Sequence, residues 1–190
     1  MQIGVMGSAA DLNYTPQLER LAREVGALVA DEGFVLLYGA EKDYDSLSTA
    51  ACRGAKKAGG VCVGFTYGKC KTTYDNSADV MVVTGLERGG GREFSLVLSC
   101  DGIICLGGGS GTLTEIAIAY QANIPIVVLD GTGGWSEELR ERFLDSRERV
   151  RVVSAKTPKE AVEKIKKLVQ GYTTLYSSST KATLFMGLIC

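Results

Sequence analysis

The chain reads as a single α/β domain, a doubly wound parallel sheet sandwiched between helices. Two observations predict it. Short continuous runs of valine, isoleucine and leucine recur along the sequence, the pattern of strands buried on both faces. Between most of them lie longer segments whose apolar residues step by three and four, the period of a helix with one buried stripe. At 190 residues the length suits one core rather than two.

In chain order, strands are expected at 2–6 (QIGVM), 34–38 (FVLLY), 61–65 (VCVGF), 79–83 (DVMVV), 102–106 (GIICL), 124–129 (IPIVVL) and 150–153 (VRVV). A helix is expected over 15–32, where Leu18, Leu21, Val25, Leu28 and Val29 share one face. Thr15 reads as its N-cap and Pro16 as its first helical residue. A second is expected over 157–169, with Val162, Ile165 and Val169 inward. Glu160/Lys164 and Glu163/Lys167 form i,i+4 pairs on its wet face. The ligand-binding body is expected over 1–170. From Gly171 to Cys190 the character changes: the Ser/Thr run reads as a flexible tail, and the closing LFMGLIC could dock on the body or on a second subunit.

Composition excludes several classes of function. A formal net charge of −1 argues against a general nucleic-acid binder, which would carry a basic surplus. No stretch approaches the roughly 20 apolar residues that span a bilayer. The opening MQIGVMGS runs straight into a strand without a charged n-region, so no signal peptide is expected. The chain has no histidine, which removes Ser-His-Asp and Cys-His catalysis and most transition-metal sites; no metal ligands are assigned. Its six cysteines form no C-x-x-C pair, and several lie in apolar runs; they read as buried, reduced thiols of a cytoplasmic protein.

In an open α/β sheet, ligands collect where strands end and helices begin. Three such loops carry small residues: GVMGSAAD with Gly7 and Ser8, YGAEKDYDS with Gly39, and LGGGSGTLTE. Glycines let backbone N–H groups approach an anion, and a helix N-terminus adds unsatisfied donors and partial positive charge. A glycine-rich turn alone serves a tight corner equally well. The lysine of an ATP-binding P-loop is missing, since Gly111 is followed by Thr112 and Leu113. The first loop also lacks the third glycine of a dinucleotide fingerprint.

The wider segment REFSLVLSCDGIICLGGGSGTLTE, Arg92 to Glu115, is more specific. It resembles the LONELY GUY-type (LOG) family, often labelled lysine decarboxylase-like, with a Rossmann-like fold, and the related molybdenum cofactor carrier proteins. The family run is proline-glycine-glycine-x-glycine-threonine-x-x-glutamate, preceded by an arginine at fixed distance. GGGSGTLTE matches it with glycine for proline, and Arg92 falls where that arginine stands. The glycine form looks more like the carrier branch. GVMGS, ACRGAKKAGGVCVGF and NIPIVVLD extend the likeness over most of 2–130.

The resemblance implies that Gly108, Gly109, Ser110, Gly111 and Thr112 hold the phosphate of a nucleotide-like ligand, joined by Gly7, Ser8 and Gly39. It implies a homodimer as well. In LOG enzymes the arginine and glutamate, here Arg92 and Glu115, cleave the N-glycosidic bond of nucleoside 5′-monophosphates. A carboxylate beside an oxocarbenium-like sugar suits that chemistry. This sequence departs from the pattern in the second loop, where Glu41, Asp43 and Asp45 crowd the site, and before Arg92, where glycines replace the usual histidine. Asp43 and Asp45 read either as a magnesium site or, more simply, as a solvated loop in which Asp45 or Ser46 caps the next helix. Two functional readings stand. The favoured one is a cytoplasmic carrier or sensor for a phosphorylated nucleotide-like or pterin-like ligand such as a molybdopterin, without turnover and with no cofactor required. The other is a phosphoribohydrolase; a pyridoxal phosphate-dependent decarboxylase is rejected.

Overall fold

The computed structural model describes residues 1–87 and 91–183, with 172–183 as backbone. Seven parallel strands form one sheet: β1 Gln2–Gly7, β2 Val35–Gly39, β3 Cys62–Thr66, β4 Val80–Val83, β5 Gly102–Leu106, β6 Ile126–Leu129 and β7 Val152–Ala155. Their order is β4-β3-β2-β1-β5-β6-β7. All seven expected runs become strands, with ends moved by a residue or two. In IPIVVL the strand starts after Pro125, whose carbonyl still accepts from the Ile103 N–H at 2.9 Å; a proline cannot donate to the ladder.

Among the described residues six α-helices cover the sheet: α1 Pro16–Asp31, α2 Leu47–Lys57, α3 Arg92–Val97, α4 Ser110–Gln121, α5 Gly134–Leu139 and α6 Pro158–Thr183. Strand side chains alternate between two cores, as the pleat requires. Ile3, Val5, Ile104, Leu106, Val127 and Leu129 face α1, α2 and α6. Met6, Ile103, Cys105, Ile126 and Val128 face α3, α4 and α5. The doubly wound expectation holds, and strand order reverses between β1 and β5, where such folds bind ligands.

Local signals act as expected at both terminal helices. Thr15 caps α1, accepting from the Leu18 N–H at 3.3 Å, and Pro16 opens it. Glu160 and Lys164 pair at 2.7 Å on α6. That helix continues past Gly171 through the Ser/Thr run to Thr183, while LFMGLIC lies outside the described residues. Among the described residues no helix is long and apolar enough to cross a membrane.

Helices α1 and α2 cross at two glycines. A Cβ on Gly26 would lie 1.8 Å from the Ala51 carbonyl oxygen, and one on Gly54 would lie 1.9 Å from that of Arg23. Both neighbours are backbone, so only separation of the helices could relieve the clash. Gly54→Ala is therefore expected to destabilise the fold by about 1–3 kcal/mol, read as a lower urea midpoint. An unchanged midpoint would mean that this crossing is not tightly packed.

Candidate functional site

The glycine run after β5 is stitched to its neighbours. Gly107 and Gly108 have φ of 61° and 98°, a region that side chains rarely adopt. The Gly107 N–H donates to Thr132 Oγ1 at 2.9 Å, and the Gly108 N–H donates to Ser8 Oγ at 2.8 Å. Their carbonyls accept from Ser136 and Trp135 at 3.0 and 3.1 Å. The first two glycines thus shape the corner, and Ser8, one hundred residues away in sequence, holds it.

The donors that remain belong to the start of α4. Gly109 is its N-cap, and among the described residues no side-chain cap hydrogen bond is made there. Thr112 lies buried in the first turn. The N–H groups of Gly109, Ser110, Gly111 and Thr112 are those that a helix leaves unsatisfied. All four residues line one cleft of about 200 Å³, together with Gly7, Arg92 and Glu115.

Arg92 opens α3 and is only 4% exposed. Its guanidinium occupies space that Gly39 leaves, since a Cβ there would lie 2.2 Å from Arg92 Nη1. Gly39, expected to touch the ligand, instead admits the arginine beneath the cleft. Arg92 Nη2 donates to Glu41 Oε1 and Glu93 Oε1, each at 3.3 Å. Among the described residues Arg92 Nε and Nη1 are buried without a hydrogen-bond partner.

Glu115 is 6% exposed and lies one turn into α4. Burial pushes its carboxyl up to about pKa 7; Arg92 pulls the other way, and Glu93 and Glu41 reinforce the rise. One guanidinium thus faces three carboxylates. Beneath them, burial followed by Glu115 raises the Cys105 thiol well above its ordinary range, which keeps it from acting as a thiolate.

The acidic second loop divides its labour. Of its acidic residues only Glu41 lines the cleft. Asp43 accepts from the Tyr67 hydroxyl at 3.2 Å, and Asp45 pairs with Arg53 at 2.7 Å. Ser46 caps α2, its Oγ accepting from the Thr49 N–H at 3.0 Å. Sequence reasoning missed Asp11, Leu12 and Tyr44 as cleft residues. Position was the available signal for the first two, since Asp11 ends the first strand's loop and Leu12 follows it. The glycines before Arg92 at 89–90 lie outside the described residues.

Several known proteins are similar to this chain. The molybdenum cofactor binding protein of Rippkaea orientalis is 34% identical, with 88% of this chain and 96% of that one covered and a TM-score of 0.74. The molybdenum cofactor carrier protein of Chlamydomonas reinhardtii is 32% identical, with 89% and 98% covered and a TM-score of 0.73. An uncharacterized protein of Archaeoglobus fulgidus is 36% identical over 137 residues, 69% of this chain and 85% of that one. The pattern describing the SLOG cluster4 family matches residues 1–162, across every strand and the whole cleft, and the chain belongs to that family.

Proposed function

We propose that this protein binds and carries a phosphorylated nucleotide-like or pterin-like ligand, a molybdopterin-type molecule among the candidates. The observation that supports it best is the start of α4, where four residues whose N–H groups a helix leaves unsatisfied line one cleft with Arg92 and Glu115. A phosphate there meets aligned dipoles and N–H groups without needing a lysine. Glu115, close to half protonated at neutral pH, can both accept from and donate to sugar hydroxyls. The structural likeness to proteins described as molybdenum cofactor carriers supports the same reading. Free buried thiols at Cys52, Cys62, Cys100 and Cys105 suit a cytoplasmic setting.

The alternative is hydrolysis of a nucleoside 5′-monophosphate, favoured by Arg92 and Glu115 lining the same cleft. Stabilising an oxocarbenium-like sugar requires ionised Glu115, so that activity would rise with pH through about 7. The test incubates purified protein with a panel of nucleoside 5′-monophosphates, follows free base by chromatography, and measures thermal protection. Carriage predicts protection without base release. Release that vanishes in Glu115→Gln would replace carriage by hydrolysis, and no protection by any phosphate compound would remove both.

A homodimer fits the apolar outer surface of α3 and α4. Phe94 and Leu98 are 54% and 59% exposed and border a groove of about 500 Å³ with Leu113, Ala117 and Ile118. Such an exposed apolar patch is suited to self-association. Sedimentation is expected to give a dimer for the wild type and a monomer for Leu98→Glu; a monomeric wild type would refute it.

A further inference from the structure

A second cavity, of about 370 Å³, opens on the far side of Gly109. Tyr14, Thr15 and Leu18 at the start of α1, Ser8 after β1 and Thr132 after β6 form its walls. Gly109 and Leu12 belong to both cavities. Leu12 ends the short 3-10 turn Ala10–Leu12 and is 53% exposed. It lies on Gly109, where a Cβ would stand 2.8 Å from its Cδ1. The two spaces are thus neighbours divided by one glycine and one leucine side chain.

They differ sharply in charge. Asp11, Glu41, Arg92, Glu93 and Glu115 line the first cleft. Among the described residues no charged side chain lines the second. At about 200 Å³ the first is also smaller than the ~300–1,000 Å³ typical of small-molecule sites.

We propose that the two cavities are halves of one ligand site, the charged cleft for phosphate and sugar and the uncharged cavity for a planar heteroaromatic ring. This rests on the phosphate site proposed above. The Tyr14 ring and the Leu18 side chain offer apolar faces for a purine or pterin. Asn13, held at φ 53° beside them, supplies an amide that both donates and accepts at the ring's edge. The reverse placement fails on charge. A phosphate in the second cavity would meet no cation among the described residues, whereas Arg92 lines the first. Both cavities also sit at the carboxyl ends of the strands beside the β1/β5 reversal.

Calorimetry with ribose 5-phosphate, AMP and GMP tests this, since the sugar phosphate lacks only the ring. Ring stacking predicts that AMP or GMP binds about tenfold more tightly than ribose 5-phosphate. In Tyr14→Ala that advantage should fall below about threefold while ribose 5-phosphate binds as before. Should Tyr14→Ala fail to fold, amide hydrogen exchange on the wild type decides. AMP or GMP, but not ribose 5-phosphate, should then protect residues 13–18 and 133–135. Equal affinity for all three compounds, or protection confined to 109–115, overturns the ring cavity and leaves the phosphate site standing. Failure of all three to bind overturns the parent reading, and this one with it.

Discussion

Arg92→Met is expected to lower stability at pH 7 by about 3–5 kcal/mol, the cost of leaving buried charge without its partner. Arg92 is the cation that Glu41, Glu93 and Glu115 share, and all four side chains are largely buried. Because Arg92 holds the Glu115 carboxyl down, its removal pushes that carboxyl further up. The deficit should therefore shrink as pH falls and Glu115 takes up its proton. Arg92→Lys should fall between the two, because an ammonium keeps the charge but loses the planar fork that spans two carboxylates. Urea unfolding followed by circular dichroism from pH 5 to 8 measures all three. A stability for Arg92→Met equal to wild type would show that the carboxylates find their counter-charge elsewhere.

Glu115→Gln should do the opposite and stabilise the fold at alkaline pH. The folded carboxyl titrates at about 7 against 4.5 for its ordinary value, so between those pH values the folded state holds more protons than the unfolded one. Stability consequently falls as pH rises from about 4.5 to about 7, and the full deficit persists above. A shift of that size corresponds to about 3 kcal/mol. The amide carries no charge, so Glu115→Gln should match wild type below pH 5 and exceed it by about 2–3 kcal/mol at pH 8. Parallel stability profiles for the two proteins would refute a raised Glu115. Desolvation outweighs the attraction of Arg92 here, so the ionised carboxylate costs the fold stability. Such a cost at a cleft is characteristic of functional groups.

Most of the architecture was legible in the sequence because it depends on local pattern. Strands buried on both faces must be continuously apolar, and seven such runs became seven strands. Thr15 with Pro16 announced a helix start because capping involves residues only three apart. Arg92 and Glu115 were identifiable by family likeness, and the fold brings both to one cleft. The roles of individual glycines were not legible. Gly108 turns its N–H to Ser8 rather than outward, and Gly39 makes room for a guanidinium that enters from a helix more than fifty residues later.

The amino-acid sequence by itself determined the layers, the strand order's building blocks, the family and the identity of the helix whose N-terminus faces the cleft. Tertiary structure alone decided that the Gly107 and Gly108 N–H groups are taken by Thr132 and Ser8, that Glu41 and not Asp45 enters the cleft, and how far the Glu115 carboxyl is raised. The physical reason is the parallel sheet. Each strand reaches its neighbour through a long crossover, so the loops that build the site are distant in sequence and meet only at the sheet's carboxyl edge. Burial and charge at that edge are sums over side chains from several such loops, and no window of the sequence contains them.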